Sequence, residues 1–104
     1  MIVRTWRALT TSELEPEYLE QVRAVVMPHL HSFSGYRGAQ FAKRSVDGQV
    51  EILVMTYWES MEAVRAFAGS DEVHAYMPPE IAATLLSFDA TSDHYEVLLD
   101  DSPV

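Results

Sequence analysis

The feature of this sequence that most constrains its fold is a strand that is apolar on both faces. Residues 50–58 alternate in direction, and two sets of large side chains point to opposite sides: Ile52, Val54 and Trp58 on one, Leu53, Met55 and Tyr57 on the other. The helices of a small α+β fold cover one face of a sheet, so the second face needs another cover. We predict that the sheet of a second copy supplies it, in a two-fold homodimer.

The elements before this strand predict a β-α-β order. Residues 2–9 alternate as a strand, and apolar residues recur at helical spacing from Tyr18 to Leu30. Pro28 should kink that helix or end its regular part. Residues 38–46 form a second strand, and Asp47-Gly48 is a strong hairpin signal between it and residues 50–58.

The elements after it predict a helix and a last strand. Ser60 can cap a helix over 61–68, and Gly69 can close it. We expect a further turn of helix from Ser70-Asp71 to Tyr76, a helix over 80–87 after two prolines, and a strand over 94–99. The order β-α-β-β-α-β is typical of a ferredoxin-like α+β fold with a four-stranded antiparallel sheet, here one domain over 1–104.

Charge and composition exclude several classes of protein. With 7 basic and 16 acidic residues the formal net charge is −9, and no basic stripe is present, so nucleic acid and anionic membranes are excluded as partners. The absence of cysteine removes disulfides, thiolate metal sites and cysteine nucleophiles. His29 and His31 have no evident third ligand, so we expect no metal site. We expect a cytoplasmic protein, since no apolar run approaches the ~20 residues that span a bilayer.

Several side chains could form a ligand site. Trp6 and Trp58 offer flat walls for an aromatic molecule, and Arg4, which shares a strand face with Trp6, could bind a carboxylate or enolate. His74 lies in the irregular segment before the last strand and could act as a general base near neutral pH. Two further polar groups are candidates at the pocket edge, His94 and Tyr76.

Three segments resemble the antibiotic biosynthesis monooxygenase family. They are Thr56-Tyr57-Trp58-Glu59-Ser60, the following residues 62–67, and His94-Tyr95-Glu96-Val97 in the last strand. The resemblance implies a dimeric α+β barrel, in which two four-stranded sheets pack face to face. It also implies one of two chemistries: oxidation of anthrone-type polyphenols by O2 without metal or flavin, or degradation of haem.

The family's functional positions are only partly matched. The cofactor-free oxidases share Trp58, but their Asn four residues before it and their Tyr six residues after it are replaced by Val54 and Val64. The haem degraders have a Trp and a His on the second helix and an Asn on the first strand. The corresponding residues of this chain are Phe67, Met77 and Trp6.

Together these observations predict a cofactor-independent monooxygenase that oxidises a small hydrophobic or polycyclic aromatic metabolite with O2. We assign His74 and Trp58 to catalysis, and the substrate-binding set is Arg4, Trp6, Val54, Phe67, Tyr76, Met77 and His94. Two alternatives stay open. One is an enzyme that uses the same pocket without oxygen, such as an isomerase, cyclase or dehydratase. The other is a non-catalytic dimeric module for ligand binding or stress response.

Overall fold

A single antiparallel sheet organises the chain around its first strand. The computed structural model describes residues 1–69, 71 and 73–102. The strands are β1 (Ile2–Thr10), β2 (Tyr36–Val46), β3 (Gln49–Trp58), β4 (Ser87–Phe88) and β5 (Asp93–Glu96). β3 pairs with β2 on one side and with β1 on the other, while β4 and β5 both pair with the free edge of β1. This sheet, with helices on one face, confirms the predicted ferredoxin-like α+β fold.

The last strand is divided in two, which the sequence did not predict. β4 pairs with Ala8 and Leu9, and β5 pairs with residues 2–5 of the same strand. Between them, residues 90–92 leave the edge and bond to residues 73–75 instead. The contacts are an isolated bridge between His74 and Thr91, and two backbone bonds of 3.0 and 2.6 Å. The predicted strand over 94–99 is therefore wrong beyond residue 96, and Leu98 and Leu99 are exposed.

The first helical region contains the predicted disturbance at Pro28. It consists of α1 (Glu15–Gln21), a π-helical turn (Val22–Val26) and α2 (Met27–His31). Proline has no N–H to donate to the carbonyl four residues before it, so a regular α-helix cannot pass through this position. The chain widens just before the proline, where the N–H of Met27 bonds to the carbonyl of Val22, five residues back.

The helix after β3 is correctly predicted, but the next one is shorter than expected. In α3 (Met61–Ala68) the Ser60 hydroxyl accepts a bond from the N–H of Ala63, and Gly69 ends the helix with φ of 87°. α4 covers only Pro79–Ala82. The predicted helix over 80–87 is wrong beyond residue 82, because the Thr10 hydroxyl holds the Thr84 carbonyl at 2.6 Å and the chain turns toward β1.

The helical turn predicted over 70–76 is absent from the residues of that segment that the structure describes. Asp71 and residues 73–76 are not helical. Ser70 and Glu72, where the turn was expected to begin, lie outside the described residues. Residues 73–75 bond to residues 90–92 instead.

The core lies on the helix side of the sheet, in two clusters. One contains Tyr18, Val22, Val50, Ile52 and Ile81; the other contains Leu30, Trp58 and Val64. On the opposite face, Leu53, Met55 and Tyr57 are only half-buried, as the two-faced strand pattern indicates. Asp47 and Gly48 form the predicted two-residue hairpin loop, with φ of 50° and 79°. In the described part of the chain, no helix is both long and apolar enough to cross a membrane.

Candidate functional site

A cavity of about 70 Å³ lies between the sheet and the helices. Most of its wall is aliphatic or aromatic, with Val22 and Val26 from the π-helical turn and Phe41 and Val54 from the sheet. The π-helical turn therefore places two valines against the ligand space. Four buried polar side chains share this wall: Arg4, Tyr18, Thr56 and Ser92. Arg4, Tyr18 and Ser92 are at most 5% exposed, and Thr56 is 7% exposed.

Arg4 brings a positive charge to the cavity wall from the middle of the sheet. Thr56 and His94 are its neighbours on the two adjacent strands. Its guanidinium lies 2.8 Å from Nε2 of His94 and donates to the carbonyl of His74 at 2.7 Å. Because a guanidinium has only donors, Nε2 of His94 accepts this bond and carries no proton in this arrangement. Phe67 lies beneath the charge, with its ring centroid 5.7 Å away.

Trp58 supports the cavity from behind and does not line it. The residue is fully buried, and its ring stacks on Phe67 at a centroid distance of 5.0 Å. Its indole N–H donates to the Thr56 hydroxyl at 2.9 Å. Strand parity put Trp58 on the correct face, but the side chain of Phe67 stands between it and the cavity. Trp58 is therefore not one of the cavity walls, although the sequence predicted that it would be.

His74 also lies differently from the expectation, because its backbone faces the site and its side chain does not. The imidazole is 67% exposed, and its Nδ1 lies 2.6 Å from a carboxylate oxygen of Asp71. The isolated bridge to Thr91 holds the backbone of residue 74, whose carbonyl faces Arg4 while its ring points to solvent. This geometry does not place the imidazole where it could take a proton from a molecule in the cavity.

The other expected substrate-site residues divide between the wall and its surroundings. Trp6, Val54, Phe67 and Tyr76 line the cavity together with Arg4. His94 holds Arg4 from the side, and Met77 packs against the first core cluster instead of lining the cavity. The sequence thus marked five residues of the wall, and the structure assigns a supporting place to the other two.

The aromatic part of the wall includes one indole and one phenol with polar ends. The Trp6 indole N–H donates to the carbonyl of Asp89 at 2.6 Å, so its ring is held against the cavity. Tyr76 stacks on His29 at 4.9 Å and meets Phe67 edge-on at 5.2 Å. Burial and the nearby negative charge of Glu80 raise the pKa of the Tyr76 phenol, so it remains a hydrogen-bond donor at neutral pH.

Three polar wall residues were missed by the sequence analysis: Tyr18, Thr56 and Ser92. Thr56 had a signal, since it shares the strand face of Val54 and Trp58. Tyr18 was assigned only to the apolar face of the first helix; it is 1% exposed, and burial raises the pKa of its phenol. Ser92 had no signal, because its position depends on the bulge between β4 and β5. Among the described residues, no three His, Asp or Glu side chains lie close enough to hold a metal ion.

Comparison with known families decides the relationship. Residues 1–79 match the model of the family described as antibiotic biosynthesis monooxygenase. The chain belongs to this family. None of the curated proteins matches it significantly.

Solved structures of similar fold include a haem degrader and a dimer. MhuD of Mycobacterium tuberculosis, a haem degrader with two haems in its active site, is 26% identical with a TM-score of 0.57, over 98% of this chain and 100% of MhuD. A proposed antibiotic biosynthesis monooxygenase of Bacillus cereus is 20% identical with a TM-score of 0.67, over 98% of this chain and 97% of that protein. A dimeric ferredoxin-like protein from an uncultured marine organism is 16% identical with a TM-score of 0.67, over 99% of this chain and 100% of that protein.

Proposed function

We propose that the cavity binds a small aromatic phenol or enol as its oxyanion, and that the bound anion reacts with O2. The observation that carries this proposal is the buried Arg4 guanidinium in the wall of an otherwise largely apolar cavity. A pocket of this kind accepts a flat apolar body and one negatively charged oxygen. Membership of a family of monooxygenases supports the use of O2.

The chemistry follows from the charge of Arg4. A positive charge within hydrogen-bond distance lowers the pKa of a bound phenol or enol by about 1 to 3. Among the described residues the cavity wall contains no carboxylate and no imidazole, so the proton leaves to solvent. O2 adds to the electron-rich carbon of the anion, and the resulting hydroperoxide eliminates water. A CH2 group is thereby oxidised to a carbonyl, and O2 supplies one oxygen atom to the product and one to water.

Neighbouring residues position the anion in this scheme. The Thr56 hydroxyl accepts the indole N–H of Trp58, so its own hydrogen is available for a ligand oxygen. Tyr76, which also lines the cavity, offers a second neutral donor. Phe67 and Trp6 enclose the aromatic ring and exclude water, which strengthens the attraction between Arg4 and the anion.

The small cavity favours the smaller of the substrates that the sequence predicts. Its volume of about 70 Å³ is well below the ~300–1,000 Å³ of sites for drug-sized ligands. A polycyclic substrate would have to displace part of the wall. Tyr76 belongs to the irregular stretch between α3 and α4 and is 36% exposed, so it forms the most accessible part of that wall.

The similarity to MhuD suggests haem as a candidate ligand. Haem does not fit the residues of this cavity. The volume is too small for a tetrapyrrole, and no imidazole is part of the described wall. The wall does hold two phenols, those of Tyr18 and Tyr76. Burial raises the pKa of both, which disfavours the phenolate form that binds iron. We therefore assign no step to haem.

We also propose that two copies of the chain pair through the helix-free face of the sheet. Met55, Tyr57 and Val97 on that face line a shallow groove of about 710 Å³ with Val3. Leu98 and Leu99, which follow β5, are 93% and 86% exposed. Apolar side chains so placed favour burial against a second copy. The description of the marine relative as a dimeric protein supports this arrangement.

Oxygen uptake by the purified protein tests the proposed activity, with a naphthol and an anthrone-type phenol as substrates. We expect uptake faster than the autoxidation measured without protein. Arg4→Met keeps the length of the side chain and removes its charge, and should reduce the protein-dependent rate about 10- to 100-fold, the value of a charged hydrogen bond. Arg4→Lys should retain part of the rate. Arg23→Met, at an exposed arginine of the π-helical turn, is the matched control.

Three results would contradict the proposal. Oxygen uptake no faster than autoxidation would favour one of the two alternatives, an oxygen-independent enzyme or a binding module. Product formed equally well under strict anaerobiosis would identify the oxygen-independent enzyme. A Soret band that appears when haem is added at stoichiometric concentration would show that the wall opens for a tetrapyrrole. Circular dichroism of Arg4→Met separates loss of activity from loss of folding.

A further inference from the structure

The hydroxyl of Tyr18 is a polar group at the edge of open space inside the molecule. The residue is only 1% exposed, and no hydrogen bond of its hydroxyl is present among the described residues. Yet within that part of the chain every fully enclosed polar side-chain atom has a partner. The small exposed area of Tyr18 therefore includes its hydroxyl oxygen. The residue lines both the cavity and a neighbouring groove, and in the cavity this oxygen would meet a bound molecule.

Tyr18 stands at the end of the cavity remote from Arg4. With Phe41 it lines both the cavity and a groove that continues outward past Ile52 and Lys43. Ile52 lies four residues before Thr56, the cross-strand neighbour of Arg4. The Cα atoms of these two β3 residues are about 13 Å apart along the strand, and Tyr18 belongs to the core cluster of Ile52, so it lies away from Arg4. The cavity is thus polar at two ends, with Val54 and other apolar side chains between them.

The two ends offer different kinds of hydrogen bond. At the first end, a permanently charged guanidinium attracts an oxyanion. At the second end, burial raises the pKa of the Tyr18 phenol, so the group is neutral and donates one hydrogen bond at any physiological pH. A neutral phenol with an open hydroxyl suits a carbonyl or hydroxyl oxygen.

We propose that Tyr18 is a specificity-determining residue, and that the ligand is a single-ring aromatic molecule with an oxygen atom at each end. Its oxyanion lies at Arg4, its ring lies against Phe41 and Val54, and its second oxygen accepts a hydrogen bond from Tyr18. This inference rests on the proposed binding of an aromatic oxyanion and narrows the class of molecule. Aromatic oxyanions that lack the second oxygen leave the Tyr18 hydroxyl without a partner in the bound state.

Binding of paired, unreactive probes tests this inference. The probes are para-hydroxybenzoate and para-hydroxycinnamate, each compared with the parent acid that lacks the hydroxyl. Trp6 lines the cavity, so tryptophan fluorescence reports binding, and calorimetry gives the affinity. We expect the wild-type protein to bind at least one hydroxylated probe about fivefold more tightly than its parent, the value of one neutral hydrogen bond.

The variant Tyr18→Phe removes only the hydroxyl oxygen and keeps the ring in the core. It should abolish the preference for the hydroxylated probe and leave the affinity for the parent acid within about twofold of the wild type. A merely structural role of Tyr18 would weaken all the probes alike. Tyr36→Phe, at a tyrosine outside the cavity wall, should keep the preference.

The possible failures are distinguishable. If no probe binds, the proposed site for an aromatic oxyanion is overturned, and this inference with it. If the parent acids bind through Arg4 but hydroxylated and parent probes bind equally, the role of Tyr18 is overturned and the proposed function stands. A preference that persists in Tyr18→Phe would assign the second oxygen to another residue.

Discussion

At the scale of single residues, the site depends on buried polar groups whose protonation is controlled by their surroundings. Tyr18 is the clearest case, because its phenol is almost completely enclosed by the first core cluster. An enclosed phenolate would lose its hydration, so burial raises the pKa of this group in the folded protein. A group whose pKa rises on folding stabilises the folded state at low pH and ceases to do so as the pH increases.

The corresponding prediction concerns alkaline stability. Above a pH of about 10 the unfolded chain releases the Tyr18 proton while the folded chain keeps it, so this residue should lower the free energy of unfolding by about 1.4 kcal/mol per pH unit. Below that pH the residue should contribute no slope. Urea unfolding at several pH values measures the effect in the wild type and in Tyr18→Phe. Equal slopes above pH 10 in the two proteins would show that the phenol ionises freely in the folded state.

At the scale of secondary-structure elements, the cavity exists because helices and strands approach each other at particular points. The π-helical turn ahead of Pro28 carries Val22 and Val26 into the wall. The start of β2 approaches α3 so closely that Gly35 has no room for a side chain: an added Cβ would lie 2.3 Å from the Cβ of Ala63. The N–H of Glu59 also bonds to the carbonyl of Gly35 at 2.9 Å.

We therefore expect Gly35→Ala to destabilise the protein. Either the backbone or α3 must move, and overpacking of this kind costs about 1–3 kcal/mol of the free energy of unfolding. Urea unfolding of four proteins tests the cause: wild type, Gly35→Ala, Ala63→Gly and the double variant. Relief of the clash predicts that the double variant is more stable than the sum of the two single effects. Simple additivity would mean that the contact with Ala63 is not responsible.

At the scale of the whole molecule, the helix-free face of the sheet decides whether the protein acts alone or as a pair. The helices cover one side, and Met55 and Tyr57 remain half-buried on the other. A second copy placed there would also cover the exposed Leu98 and Leu99. The high negative charge of the chain, formally −9, opposes close association of two copies. Burial of apolar area must therefore exceed this repulsion, which added salt would screen.

The prediction at this scale is that Met55→Glu converts a dimer into a monomer. A carboxylate in the centre of an apolar interface has no partner and loses its hydration. Sedimentation velocity at micromolar concentration should show a dimer for the wild type and a monomer for the variant. Ala66→Glu, which adds the same charge on the exposed side of α3, should remain dimeric. A monomeric wild type, or a dimer that tolerates Met55→Glu, would place the contact elsewhere or exclude it.

The sequence by itself determined the features that follow from local periodicity and turn chemistry. Alternation located β1 and β3. It placed Arg4 with Trp6 on one face of β1 and Val54 with Trp58 on one face of β3, and in the structure Arg4, Trp6 and Val54 all line the cavity. Ser60 and Gly69 gave the ends of α3, and Asp47-Gly48 gave the hairpin. These features depend on residues close together in the chain, so a local pattern is sufficient.

Which side chains meet in the cavity depends on the packing of α3 and of the chain between α3 and β5. Strand parity could not show that Phe67 stands in front of Trp58, because that depends on how α3 packs on the sheet. The exposed imidazole of His74 and the position of Ser92 both result from pairing between residues 73–75 and the bulge at 90–92. That pairing joins segments distant in sequence, and it separates β4 from β5. Such contacts depend on the packing of the whole fold, so local periodicity does not predict them.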